Sequence, residues 1–133
     1  MTFSAKPAIP IVRIFDRPKA HEFYLDYLGF SIDWEHQFDG RGPTYTQVSR
    51  GALVLHLSEH HGDGTPGQIV YIPATGVREL HAELQAKNYP FLNPGIDPSP
   101  GDDRGACLNL LDPFGNTLRI DERRHRLNTH QTS

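Results

Sequence analysis

The segment Ile9–Phe30 constrains the fold most, because two different periodicities meet in it at a helix-start signal. The first six positions alternate as in a half-buried strand, and Asp16 and Pro18 then suit the N-cap and first turn of a helix. Apolar residues follow at helical spacing, and Gly29 can take the left-handed conformation that ends a helix. The helical stripe consists of Ala20, Phe23, Tyr24, Tyr27 and Leu28. A strand running into a helix is therefore predicted.

A second signal lies near the other end of the chain, in the run Asp112-Pro113-Phe114-Gly115-Asn116. Asp-Pro begins a turn, and the Gly-Asn pair can take positive φ. The residues from Thr117 to Asp121 then alternate with period two. The pattern predicts a hairpin within Leu108–Glu122.

Between these two segments the chain reads as one pattern repeated twice. Strands are predicted at Phe30–Gln37, Pro43–Ser49 and Ala52–Glu59, and after a polar loop the pattern restarts. The second copy has a strand at Gln68–Ile72, a helix capped by Thr75 and closed at Asn88, a proline-rich stretch at Asn93–Gly101, and strands at Ala106–Leu111 and Asn116–Glu122. Each half is thus expected to be a βαβββ unit.

The motif Phe23-Tyr24-x-x-x-Leu28-Gly29-Phe30, followed much later by the Asp-Pro-Phe-Gly-Asn turn, resembles the glyoxalase/bleomycin-resistance superfamily, also called vicinal oxygen chelate (VOC) proteins. The resemblance covers roughly residues 8–122. It implies an α+β fold of paired βαβββ modules in a single domain, residues 1–133. The modules span 8–62 and 67–122, a polar tail at 123–133 is expected to fray, and the family resemblance implies a homodimer.

Composition agrees with this assignment. The chain has 133 residues, of which 37% are apolar, enough for one core, and a formal net charge of −3. No large positive field is present, so nucleic acid is an unexpected partner. Cys107, the one cysteine, excludes an internal disulfide and is predicted to be buried and inert. Neither a signal peptide nor an apolar stretch of membrane-spanning length is seen, so a soluble, cytoplasmic protein is expected.

The resemblance also allows each metal-ligand position of the family to be checked. These positions fall on Ile9, His56, Ile69 (or Gln68) and Arg119. An aliphatic side chain cannot coordinate a cation, and the charge of Arg119 repels one. We therefore predict no metal, no cofactor and no catalytic residue.

Six residues, two of them at these family positions, are predicted to face the cleft in which the superfamily binds ligands. Two arginines suit a carboxylate or phosphate, two aromatic rings suit a planar ligand, and a glutamine and a histidine complete the set. The predicted ligand-binding residues are Arg13, Trp34, Tyr45, Gln47, His56 and Arg119. The alternatives are core packing for Trp34 and structural ion pairs for the arginines, with Asp33, Glu35 or Asp121 as partners.

Without metal ligands, the chain looks most like the bleomycin-resistance branch, whose members sequester a cationic, bithiazole-bearing glycopeptide antibiotic between two subunits. The resemblance implies antibiotic binding and antibiotic resistance without chemistry, although two arginines are unexpected in a receptor for a cation. The competing hypothesis is a glyoxalase-type lyase, isomerase or dioxygenase. It would need an atypical metal site assembled from His56, Glu59, His60 and His61. Binding of a metabolite for transport or sensing is a third possibility.

Overall fold

The structure is a computed structural model and describes residues 2–124. The chain divides into two compact units, Met1–Gln68 and Ile69–Ser133. Each unit contains a four-stranded sheet and a helical segment in the order strand, helix, three strands. Within the described residues, no helix is long and apolar enough to cross a membrane. The two βαβββ patterns predicted from the sequence are therefore both present.

The first unit has its strands in the spatial order β1-β4-β3-β2. Strands β1 and β4 pair in parallel, and the other two pairs are antiparallel. Its strands are β1 (Ile11–Arg13), β2 (Ser31–Gln37), β3 (Thr44–Arg50) and β4 (Leu53–Ser58), and helix α1 (Arg17–His21) lies between the first two. The first strand is shorter than the alternating pattern predicted, and Ile9 lies outside it.

Helix α1 begins as the sequence predicts. The side chain of Asp16 accepts a hydrogen bond of 3.0 Å from the backbone N–H of Lys19, and Pro18 lies in the first turn. The helix then widens into a π-helical segment, Glu22–Tyr27, in which the N–H of Leu28 bonds the carbonyl of Phe23. All five residues of the predicted stripe are buried. Gly29 has φ of 77° and ends the helix.

The second unit repeats this topology, with the order β5-β8-β7-β6 and a parallel β5/β8 pair. Its strands are β5 (Ile69–Pro73), β6 (Asp97–Ser99), β7 (Asp102–Leu111) and β8 (Thr117–Glu122), and helix α2 is Val77–Ala86. The proline-rich stretch forms the short strand β6, paired irregularly with β7. Asn88 has φ of 51°, as expected of a residue that closes a helix.

The start of helix α2 differs from the prediction. Gly76, with φ of 73°, occupies the N-cap position in place of Thr75, and no side chain caps the helix locally. The buried carboxylate of Glu122 in β8 instead accepts a hydrogen bond of 3.1 Å from the N–H of Val77. A residue 45 positions away therefore performs the capping role.

Both units have an apolar core on one side of their sheet. The core of the first unit consists of Val12, Ile14, Ala20, Phe23, Tyr24, Tyr27, Leu28, Phe30, Val48, Leu55 and Leu57. That of the second consists of Val70, Ile72, Val77, Leu84, Ala106, Leu108, Leu110, Leu118 and Ile120. Cys107 is paired directly with Asp121 and lies on the other side of the sheet. Cys107 is buried as predicted, and burial raises the pKa of its thiol.

The first two residues of the predicted tail, Arg123 and Arg124, form hydrogen bonds with the second unit. Arg123 donates a hydrogen bond to Ser99, and the N–H of Arg124 donates one of 2.8 Å to Asp102. The rest of the tail, residues 125–133, lies outside the described residues.

The predicted hairpin connects β7 and β8, and Asp112 holds its turn together. One oxygen of this buried carboxylate accepts hydrogen bonds of 2.8 Å from the N–H groups of both Phe114 and Asn116. The other accepts one of 2.9 Å from the Asn116 side chain. Gly115, with φ of 87°, adopts the left-handed backbone conformation in this turn.

Asp112→Ala is expected to lower the free energy of unfolding by about 3 kcal/mol, because it leaves a buried N–H and a buried amide without acceptors. Urea denaturation followed by circular dichroism would measure the change. Asp103→Ala is the matched control, since Asp103 is exposed on β7, and we expect a change within about 0.5 kcal/mol. Equal losses in the two variants would contradict the role of Asp112.

Candidate functional site

The outer face of the first sheet, opposite the buried core, carries most of the predicted site residues. Strand pairing determines which side chains lie side by side on this face. One cross-strand row consists of Ile11, His56, Gln47 and Trp34, and the next consists of Arg13, Ser58, Tyr45 and His36. The parallel β1/β4 pair and the antiparallel β2/β3 and β3/β4 pairs thus assemble five of the six predicted residues on one face.

A β-bulge at Asp33 changes which side chains of β2 point outward. Ile32 pairs with Val48, but the next residue to pair is Trp34, which lies opposite Gln47. Asp33 is therefore an extra residue, and its neighbours Ile32 and Trp34 face opposite sides of the sheet. Simple alternation would have placed Ile32 and Trp34 on the same side.

Three rings on this face form what we call the aromatic cluster: Trp34, Tyr45 and His56. The Trp34 and Tyr45 rings are nearly parallel, with an interplanar angle of 9° and centroids 6.0 Å apart. His56 lies edge-on to both, 5.3 Å from Trp34 and 5.1 Å from Tyr45. Trp34 is 44% exposed, which excludes the core-packing alternative for this residue.

A chain of hydrogen bonds runs through the cluster and fixes the tautomer of His56. The amide nitrogen of Gln47 donates to Asp33 (3.1 Å), so the Gln47 oxygen faces His56 Nε2 at 3.0 Å. An oxygen acceptor requires a proton on Nε2. In the neutral ring Nδ1 is then an acceptor, and the Tyr45 hydroxyl donates to it over 2.7 Å.

Partial burial supports the neutral form of this histidine. Desolvation lowers the pKa of His56 below its usual 6.5. The pKa of the Tyr45 hydroxyl is raised, mainly by desolvation and to a smaller extent by the charge of Asp63. The hydroxyl therefore stays protonated and able to donate. The chain therefore runs from the Tyr45 hydroxyl through His56 and Gln47 to the carboxylate of Asp33, which also accepts a bond of 2.9 Å from Ser49.

The two arginines are placed differently. The Arg13 guanidinium lies 4.6 Å from the centroid of the Phe15 ring and lines a cleft at one end of the first sheet. Arg119 lies on the second unit, where its Nε donates a hydrogen bond of 2.9 Å to Asn109. Of the carboxylates considered as their partners, Glu35 forms an ion pair with Arg17 instead, at 2.7 Å.

The outer face of the second sheet carries a polar group that is not among the predicted ligand-binding residues. The buried carboxylate of Asp121 accepts hydrogen bonds from the hydroxyls of Tyr71 and Ser99. The hydrogen bond to Asp121 raises the pKa of Tyr71. The sequence did contain a signal for Asp121, because the alternation from Thr117 to Asp121 places it on the same face as Arg119.

The proposed atypical metal site does not assemble. One carboxylate oxygen of Glu59 accepts hydrogen bonds from both the N–H and the hydroxyl of Thr44, at 2.9 Å and 2.7 Å. The ring of His60 packs edge-on against Phe38, with centroids 4.3 Å apart. Among residues 2–124 no three or more His, Cys, Asp or Glu residues are grouped so that they could hold a metal ion. His56, Glu59, His60 and His61 are therefore not grouped as a ligand set in this structure.

The tautomer assignment makes a prediction about the titration of His56. Because the folded protein lowers its pKa, His56 binds a proton less readily in the folded than in the unfolded state. Its environment therefore favours folding above pH 6.5 and progressively less as the pH falls below that value. We expect Tyr45→Phe to raise the pKa of His56, since it removes the donor to Nδ1, and Gln47→Leu to lower it, since it removes the acceptor at Nε2.

Two-dimensional NMR of the imidazole signals would measure both pKa shifts. A lower pKa of His56 in Tyr45→Phe, or a higher one in Gln47→Leu, would contradict the assigned tautomer.

Comparisons with known proteins agree with this fold. A family model described as glyoxalase superfamily protein matches residues 2–126. A bleomycin-binding protein from bleomycin-producing Streptomyces verticillus, solved with copper(II)-bleomycin, is 26% identical, with a TM-score of 0.63 over 90% of this chain and 97% of that chain. A comparison with curated proteins found no match.

Two further structures are similar at lower identity. A bleomycin resistance determinant encoded on the transposon Tn5 is 19% identical, with a TM-score of 0.68 over 91% of this chain and 100% of that chain. TnmS3, an antibiotic-binding protein from Streptomyces sp. CB03234, is 20% identical, with a TM-score of 0.62 over 91% of this chain and 99% of that chain. The paired βαβββ units and the match to the family model together show that the chain belongs to the glyoxalase superfamily.

Proposed function

We propose that this protein binds a small molecule with a planar heteroaromatic group and sequesters it without chemical change, as a bleomycin-resistance protein does. The aromatic cluster carries the proposal. Trp34 is a large ring, 44% exposed, held parallel to Tyr45 on an open sheet face. Such a ring offers a flat apolar surface that a planar ligand can cover by stacking.

The hydrogen-bond chain suits the cluster to this role, because it holds the rings in place before a ligand arrives. Tyr45 and His56 are each fixed by a hydrogen bond as well as by packing against Trp34. A preorganised surface loses less conformational entropy on binding than a mobile one. The cluster thus resembles a binding platform more than a reactive centre.

The structure also supplies an acidic group for a cationic ligand. Asp33 lies beside the cluster on the exposed edge strand β2, where its oxygens accept bonds from Gln47 and Ser49. A carboxylate next to stacked rings suits a ligand that is both cationic and heteroaromatic, such as bleomycin. The bleomycin-binding neighbour from Streptomyces verticillus, at 26% identity, supports this ligand class.

The remaining parts of the proposal come from the family resemblance. We propose a metal-independent homodimer that acts in the cytoplasm, with Arg13, Gln47 and Arg119 contributing polar contacts to the ligand. Antibiotic resistance by sequestration would be its biological role.

Titration with metal-free bleomycin, followed by the fluorescence of Trp34, tests the proposal directly, because Trp34 is the one tryptophan in the chain. We expect saturable quenching at about one equivalent per subunit, the stoichiometry of a single complete site per chain. Parallel titrations with Zn²⁺, Ni²⁺ and Fe²⁺ alone should give no stoichiometric response. A metal response that is lost in His56→Ala would favour the enzyme hypothesis instead.

Variants measured by calorimetry would locate the bound drug. Trp34→Ala is expected to weaken bleomycin binding by about tenfold or more, because a stacked aromatic contact and its buried area are lost. His56→Ala should weaken it as well, since Tyr45 loses its acceptor. His61→Ala is the matched control, because His61 is exposed in the following loop. Unchanged affinity in Trp34→Ala would place the drug elsewhere.

A further inference from the structure

A cleft of about 590 Å³ lies at one end of the first sheet, apart from the rings of the aromatic cluster. Its walls come from the end of β1, the start of α1, the loop after β2 and the end of β4. Three arginines from three different elements line it: Arg13, Arg17 and Arg41. We propose that this cleft binds the oxyanion group of a small organic acid, with Arg41 as the main anchor. The inference does not depend on the proposed function.

An unpaired guanidinium is the first argument for an anionic ligand. Arg17 is already neutralised, because its guanidinium forms a bidentate pair with Glu35 at 2.7 Å and 2.9 Å. The side chain of Arg41, by contrast, is exposed and has no hydrogen bond or ion pair in the part of the chain that the structure describes, since only its backbone N–H is bonded, to the carbonyl of Phe38. A guanidinium that lines a cleft presents a planar set of donors matched to a carboxylate or phosphate.

The carboxylates in the cleft already have other partners. Asp16 accepts the N-cap hydrogen bond of helix α1. Glu59 accepts two hydrogen bonds from Thr44, one from its N–H and one from its hydroxyl. These donors are uncharged and do not neutralise Asp16 or Glu59, but neither carboxylate forms an ion pair with Arg41 within the described residues.

The loop that carries Arg41 is tightly closed. The N–H of Gly42 donates a hydrogen bond of 2.6 Å to the carbonyl of Phe38, and the Gln37 side chain donates one of 3.2 Å to the carbonyl of Gly42. A Cβ atom at position 42 would lie 2.5 Å from the Phe38 oxygen, so only glycine fits there. The backbone of Arg41 is therefore held at the mouth of the cleft.

The cleft has an apolar wall as well. Phe15 is 54% exposed, and Pro18 and Pro43 lie on the same lining. The Arg13 guanidinium covers one side of the Phe15 ring at 4.6 Å. An acid with an aromatic or aliphatic body therefore fits better than a bare inorganic ion, and the volume is in the range of small-molecule sites.

Calorimetric titration at low ionic strength with four probes would test this ligand class: phenyl phosphate, benzoate, inorganic phosphate and phenol. Low salt matters because an exposed arginine is easily screened. We expect saturable binding of phenyl phosphate or benzoate, and their order of affinity decides between phosphate and carboxylate. Inorganic phosphate should bind more weakly and phenol not at all. Phenol binding as tightly as the acids, or no saturable binding by either acid, would overturn the proposal.

Variants of Arg41 would show whether this residue anchors the acid. Arg41→Gln is expected to weaken binding of the better acid by about tenfold or more, as loss of a charged hydrogen-bond donor does. Arg41→Lys should retain part of the affinity, because it keeps the charge but not the planar fork. Lys6→Gln is the matched control, since Lys6 is exposed in the same unit and does not line the cleft. Equal weakening in Lys6→Gln and Arg41→Gln would indicate attraction by net charge alone and overturn the assignment.

The same variants separate this proposal from the antibiotic-binding one. Arg41→Gln should leave the bleomycin titration unchanged, and Trp34→Ala should leave the phenyl phosphate titration unchanged. If one of the two ligands does not bind, the result expected for the other ligand is therefore unchanged.

Discussion

The parallel pairing of the first and last strands is the constraint on which each unit depends. In the first unit the helix and two antiparallel strands lie between β1 and β4 in the sequence, so some 45 residues separate Ile11 from its partner His56. That pairing completes the sheet. It also brings Arg13 into a row with Ser58 and Tyr45, and thereby places the aromatic cluster and the arginine-lined cleft on the same small framework.

The outer face of the first sheet is chemically unusual because its apolar and polar groups restrain each other. Exposed rings tend to be mobile, but the Tyr45 hydroxyl is directed to Nδ1 of His56 and cannot rotate away without losing its acceptor. The anionic end of the hydrogen-bond chain, Asp33, orients the Gln47 amide and so the proton on Nε2. One surface charge thus determines the proton positions of several uncharged groups.

Periodicity and turn chemistry predicted most of the fold, because these signals are local. The helix stripe, the Asp16 cap and the Asp112 turn all depend on residues within a few positions of one another. The cap of α2 could not be predicted in this way, since its acceptor, Glu122, lies 45 residues away from Val77. Within the candidate site, the outward side of His56 followed from alternation, whereas the side of Trp34 depended on a bulge that no glycine or proline signalled.

The bulge also has a consequence for how such a surface can diversify. Ile32 and Trp34 pair with consecutive residues of β3. If Asp33 were deleted, the pairing of the residues on both sides of it would therefore stay the same. Asp33 therefore adds a carboxylate to the surface without displacing a core side chain on either side of it. Single-residue insertions and deletions at this point of the edge strand offer evolution a way to change ligand preference while the packing of the protein stays the same.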